Sequence, residues 1–115
     1  MKITSPKLNE NPEQINLKEA LQEDYYISNA TVCSLEGIEE SEGKIIFDQV
    51  LFKQASFVDL HLYQVEFIDC IFEKCDLSNV VMEQAVFHRV EFIACKLFGA
   101  NFADARLTDV RVCEN

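Results

Sequence analysis

The chain has 115 residues, of which 20 are acidic and 10 basic, giving a formal charge of −10, and 49% are hydrophobic, with nine Phe and no Trp. This size suits one compact domain, and so much apolar material excludes bulk disorder. The excess of carboxylates disfavours direct contact with nucleic-acid phosphates or anionic lipid and points to a basic partner surface instead.

No apolar core follows Met1 and Lys2, and no stretch approaches the ~18 uninterrupted apolar residues of a spanning helix, so a soluble, cytoplasmic protein without membrane contact is expected. The first element is a short helix in NLKEALQED. Asn16 stands as N-cap with Glu19 three residues on, and Leu17, Ala20 and Leu21 fall on one face. Its expected role is to cover the open end of a coil, because a solenoid terminus otherwise exposes core side chains and unpaired backbone groups. Docking a partner is the alternative role. Residues 25–44 read as a degenerate first coil, since Tyr25 with Ile27 and Ala30 with Val32 share the frame of the repeats that follow. The frame is lost over Leu35 to Gly43. There GIEESEG, bracketed by Gly37 and Gly43, predicts an exposed acidic loop whose carboxylates Glu36, Glu39, Glu40 and Glu42 are either a contact element or simply solvated. Residues 1–44 are therefore predicted to form an N-terminal cap segment, and residues 45–115 a repeat region.

From Ile45 to Glu114 the chain divides into fourteen units of five residues without a gap: IIFDQ, VLFKQ, ASFVD, LHLYQ, VEFID, CIFEK, CDLSN, VVMEQ, AVFHR, VEFIA, CKLFG, ANFAD, ARLTD and VRVCE. The third position is apolar in every unit, and the first is small or medium and never charged. A five-residue period matches neither the 3.6 of a helix nor the 2 of a strand. A coil with corners accommodates it. Positions one and three then point inward, and four units close a square, so residues twenty apart stack in columns such as Phe47, Phe67, Phe87 and Phe52, Phe72, Phe92. The pattern resembles the pentapeptide-repeat family, with ANFAD, CDLSN and ARLTD as close matches. The resemblance implies an all-β solenoid, a right-handed quadrilateral parallel β-helix carrying the short N-terminal helix or cap.

No catalytic, cofactor-binding or metal-binding residue can be nominated. His61 and His88 belong to different sides of the coil, the carboxylates are scattered, and the three glycines form no phosphate-cradling loop. The five cysteines, Cys33, Cys70, Cys75, Cys95 and Cys113, lack a secretion signal and are expected as reduced thiols, although Cys75 and Cys95 stack closely enough for a disulfide. A non-enzymatic interaction scaffold for a protein partner is thus expected. Outward apolar residues form a candidate contact patch, Ile46, Ile68 and Val86 on one side and Leu51, Ile71 and Ile93 on the next, unless the N-terminal segment folds across them. No polar cap follows Phe92, Leu97, Phe102, Leu107 and Val112, so this end is expected to pair with a second copy as a homodimer. The resemblance also implies an alternative, since some quinolone-resistance members of the family bind DNA gyrase and topoisomerase IV as acidic mimics of duplex DNA. Ile45 to Glu114 carries 11 acidic and 6 basic residues, a net −5, over 3.5 coils or about 17 Å, where duplex DNA carries about 10 charges.

Overall fold

Every fifth residue turns the chain. At Gln49, Gln54, Asp59, Gln64, Asp69, Lys74, Asn79, Gln84, Arg89, Ala94, Asp104 and Asp109 the backbone φ lies between 52 and 60°, and at Gly99 it is 73°. These are the fifth positions of successive units, and a left-handed residue at each corner swings the next short side through a quarter of the square. The computed structural model describes residues 4–8, 12–40 and 43–113. It contains β1 (Glu13–Gln14), α1 (Leu17–Glu23), β2 (Tyr26–Val32), a 3-10 turn (Ile38–Glu40), β3 (Ile46–Lys53), β4 (Glu66–Glu73), β5 (Val86–Ile93) and β6 (Arg106–Cys113). The strands form a parallel sheet in the order β1-β2-β3-β4-β5-β6, a β-solenoid with one of strands β2 to β6 in each coil.

Each of β3 to β6 covers two consecutive units and bends around a corner residue, so the ladder wraps two sides of the square. The register is twenty residues throughout: Phe47 pairs with Phe67, Phe67 with Phe87 and Phe87 with Leu107. Phe52, Phe72, Phe92 and Val112 form the second column. The other two sides are held more sparsely, by the bridges Ser56–Asp76–Lys96 and His61–Val81–Asn101. Their corners are β-turns closed by Leu60 N–H to Phe57 O (3.1 Å) and Val80 N–H to Leu77 O (3.2 Å). Such turns require positive φ at their third residue, here Asp59 and Asn79, and Asp and Asn tolerate it better than most side chains.

Inside the square the Phe rings stack along the axis and meet edge to face or tilted across the corners. Phe72 lies 4.7 Å from both Phe52 and Phe92 in stacked geometry, 5.0 Å from Phe67 and 5.5 Å from Phe57. Stacked and edge-on pairs of this kind each add about 0.5–1.5 kcal/mol beyond area burial. Position one supplies Ala55, Val65, Cys75 and Ala85, small enough to let the rings fill the interior.

The N-terminal part joins the same coil. Ile27 pairs with Phe47, Ala30 with Val50 and Val32 with Phe52, and Asn29 supplies the corner with φ 51°. Asn16 caps α1, its Oδ1 accepting from Glu19 N–H at 3.1 Å, and Leu17 and Leu21 are buried in the common core over the first coil. The GIEESEG segment departs from the expected exposed loop, because Leu35 and Ile38 are buried. Gly37 occupies the third position of its unit and offers no side chain, so Ile38 fills the vacant interior place. A β-carbon on Gly37, at φ 90°, would lie 2.8 Å from the Lys18 side chain, which fixes how closely this turn approaches α1.

Candidate interaction surfaces

Positions two and four of each unit face outward, and their chemistry differs from side to side. The predicted patch lies on the two sides carrying the continuous ladder. Ile46, Ile68, Val86, Leu51, Ile71 and Ile93 are all half-buried there. Part of the cover comes from the N-terminal segment. Lys7 N–H donates to Asp69 Oδ1 at 3.2 Å, and Leu8 and Pro12 line a groove of about 440 Å³ with Thr31, Leu51 and Ile71. Asp69 sits at a corner and is buried; Arg89, one coil further on, binds it through Nε (2.5 Å) and Nη2 (2.9 Å). Those hydrogen bonds hold the Asp69 carboxyl below the ordinary carboxylate value, against the opposing effect of desolvation.

Of the acidic loop, Glu36 and Glu39 border a shallow depression of about 530 Å³ with Cys33, Gln54 and Ser56. Glu40 closes the 3-10 turn, and Glu42 lies outside the described residues. His61 is exposed with Nε2 3.6 Å from Glu83, whereas His88 contacts the Arg89 guanidinium, so the two imidazoles serve separate neighbours. Among the described residues no group of three or more His, Cys, Asp or Glu side chains could hold a metal ion, and no helix is long and apolar enough to cross a membrane.

The last described coil is where the most exposed large apolar side chains lie. Leu107 and Val112 are each 59% exposed, and Leu97 and Phe102 are half-buried. Phe92 differs from the expectation of an open end, being only 4% exposed, because it belongs to the coil below and Val112 lies over it in register. Phe98 is exposed most of all, at 85%, on the outer face of this same coil. The sequence pattern passes over it, although an aromatic at the fourth position of CKLFG was a readable departure from a polar outward site.

Residues 45–115 match the family model for the pentapeptide repeat region. The chain belongs to the pentapeptide-repeat family. Among solved structures it is similar to a pentapeptide repeat protein, Rfr23, from the cyanobacterium Cyanothece 51142, with a TM-score of 0.57 and 17% identity over 76% of this chain. The aligned part is 56% of that protein, so this chain spans little more than half its length. No curated protein matches the sequence. As a pentapeptide-repeat protein the chain presents flat, evenly stepped sides, and its depressions gather around the irregular first coil, which supplies Cys33, Ser34, Leu35, Glu36, Gly37, Ile38 and Glu39 to their walls. On the two sparsely bridged sides below Phe98, Val58 and Tyr63 are outward apolar residues 38% and 54% exposed, and the outward Val81 is half-buried.

Proposed function

We propose that this pentapeptide-repeat protein is a non-enzymatic interaction scaffold whose last described coil binds a protein partner, and that a second copy of the chain is the partner that fits it. The observation that carries this reading is the exposure of Phe98, Leu107 and Val112 together on one coil. Charge selects the occupant. Residues 95–114 hold three basic side chains, Lys96, Arg106 and Arg111, and three acidic ones, Asp104, Asp109 and Glu114, so the net −10 of the chain resides entirely elsewhere. Two copies therefore repel each other least when these coils meet. Acidic and basic residues alternate along Asp104, Arg106, Asp109 and Arg111, so a copy turned about a two-fold axis can set opposite charges against one another. A reducing, cytoplasmic compartment suits the free cysteines. Sedimentation at high micromolar concentration is expected to give a dimer, and Phe98→Glu or Leu107→Lys a folded monomer. A monomeric parent protein at that concentration overturns the reading.

A second reading, mimicry of duplex DNA towards a topoisomerase, is favoured by the acidic charge of the chain, −10 in all and −5 over the repeats from Ile45 to Glu114. End-to-end pairing would double both the length and the charge of the repeat region. Its test is a gyrase supercoiling assay with and without quinolone, in which added protein should inhibit the enzyme or protect it from the drug. The absence of binding, inhibition and protection eliminates the mimic. The half-buried columns around Ile68 and Ile71 and the carboxylates Glu36 and Glu39 are the secondary contacts proposed for either partner.

A further inference from the structure

Two cysteines on adjacent coils stand one above the other in the same column. Cys75 and Cys95 open the units CDLSN and CKLFG, twenty residues apart. The bridges Ser56–Asp76–Lys96 align the next position along, and Lys96 N–H donates to Cys75 O at 3.0 Å. Neighbouring parallel chains lie about 4.8 Å apart, inside the roughly 4.4–6.8 Å between Cα atoms that a disulfide spans. The pair is asymmetric. Cys75 is 2% exposed, whereas Cys95 is only partly covered. The Cys75 thiol donates to Phe52 O at 3.3 Å and the Cys95 thiol, one coil on, to Phe72 O at 3.1 Å; the neighbouring Cys75 thiol holds Cys95 down at about 7, and Cys95 together with burial pushes Cys75 up. Cys70, the other interior cysteine, has no such neighbour: its register partner is Val90, and burial raises its thiol.

We propose that Cys75 and Cys95 form a thiol–disulfide exchange site, which reacts with low-molecular-weight disulfides and closes into a covalent bond between two coils. The Cys95 thiolate, reachable and ionised near neutrality, attacks one sulfur of the small disulfide. A bond forms between Cys95 and that sulfur, the small disulfide bond breaks, and one small thiolate leaves and takes a proton from water. Capping Cys95 removes the neighbouring thiolate that raised Cys75. Cys75 then gives its proton to solvent and attacks the Cys95 sulfur, forming the Cys75–Cys95 bond and expelling the second small thiol. Two protein thiols are oxidised, and one disulfide is reduced to two thiols. The product joins the coil of β6 covalently to the coil beneath it.

The test treats the folded full-length protein at pH 7 with oxidised glutathione, blocks remaining thiols with N-ethylmaleimide and maps the tryptic peptides by mass spectrometry. Peptides 75–89 and 90–96 are expected joined and two hydrogens lighter, and separated again by dithiothreitol. Cys95 should be captured roughly ten times faster than Cys33 or Cys113. Cys75→Ser should stop at a glutathione adduct on Cys95, and Cys95→Ser should abolish both products. The rate of Cys95 capping should bend near pH 7 in the parent protein and at higher pH in Cys75→Ala, a shift that a purely structural Cys75 would not cause. Faster capping of Cys33 or Cys113, a lasting adduct on Cys95 beside a free Cys75, or no reaction overturns the proposal. The parent protein alone decides among these outcomes should a variant fail to fold.

Discussion

At Asn29 and at every fifth residue from Gln49 to Asp109 the corners of the coil are held by residues in left-handed backbone geometry, and apart from Gly99 all of them carry a β-carbon. For an L-residue that geometry costs roughly 1–2 kcal/mol, which only glycine escapes. Asn and Asp recover part of it through local hydrogen bonds; Ala94, at φ 55°, has no polar side chain to do so. Ala94→Gly loses about 0.4–1 kcal/mol to the greater freedom of its unfolded chain, leaving an expected net gain of about 0.5 kcal/mol in a urea titration. Asp69 offers a test by pH. Its carboxyl is depressed in the folded protein, chiefly by the Arg89 hydrogen bonds, so its stabilising contribution is present above the unfolded value of about 4. It is lost as pH falls through the folded value. Asp69→Asn keeps a residue that tolerates positive φ. This variant should be less stable than the parent at pH 7, with the gap closing as pH falls below the ordinary carboxylate value. The ion pair itself was not legible in the sequence, because position five is outward in the pattern and nothing marks Asp69 and Arg89, one coil apart, as partners.

The strands β3 to β6 share one plan, yet their interior residues differ in worth according to the coil they occupy. Phe72 is enclosed by four other rings, so Phe72→Ala should cost about 3–5 kcal/mol. Leu107 holds the same third position but is 59% exposed, and Leu107→Ala should cost under about 1 kcal/mol by the same titration. Near-equal losses would mean that the outer coil is covered in solution. These strands were legible because the apolar third position and small first position repeat without a break over fourteen units, and the Phe47, Phe67 and Phe87 columns stand as the period requires. The capped helix was legible through Asn16 and the Leu17–Leu21 spacing. β1 was not, since Glu13 and Gln14 pair with Ala30 and Thr31 through backbone alone, and their side chains carry no trace of it. Ile38 was misread for a related reason: its burial answers a missing side chain at Gly37, a compensation that no periodic pattern expresses. Phe92 does not belong to the open face, and the period itself accounts for this, since residues twenty apart stack and Val112 lies over it.

A molecule with ten net negative charges and one neutral coil should associate in a salt-dependent way. The screening length shrinks from about 20 Å at 20 mM salt to about 4 Å at 0.5 M, so added salt removes long-range repulsion between copies while leaving the apolar contact of Phe98, Leu107 and Val112. The dimer dissociation constant, measured by sedimentation, should therefore fall at least roughly twofold over that range. Contacts dominated by ion pairs such as Arg111–Glu91 would move it the other way. The strict register of twenty has a further consequence for how such a molecule can change its length. Excising a full set of four units would shorten the rod by one storey and leave every façade facing as before. Excising a single unit would keep the interior equally well filled, yet rotate everything beyond the cut by ninety degrees, delivering the same side chains to a different compass point. In this architecture the number of units modulo four is a coordinate of direction, and insertions in multiples of four alter reach alone.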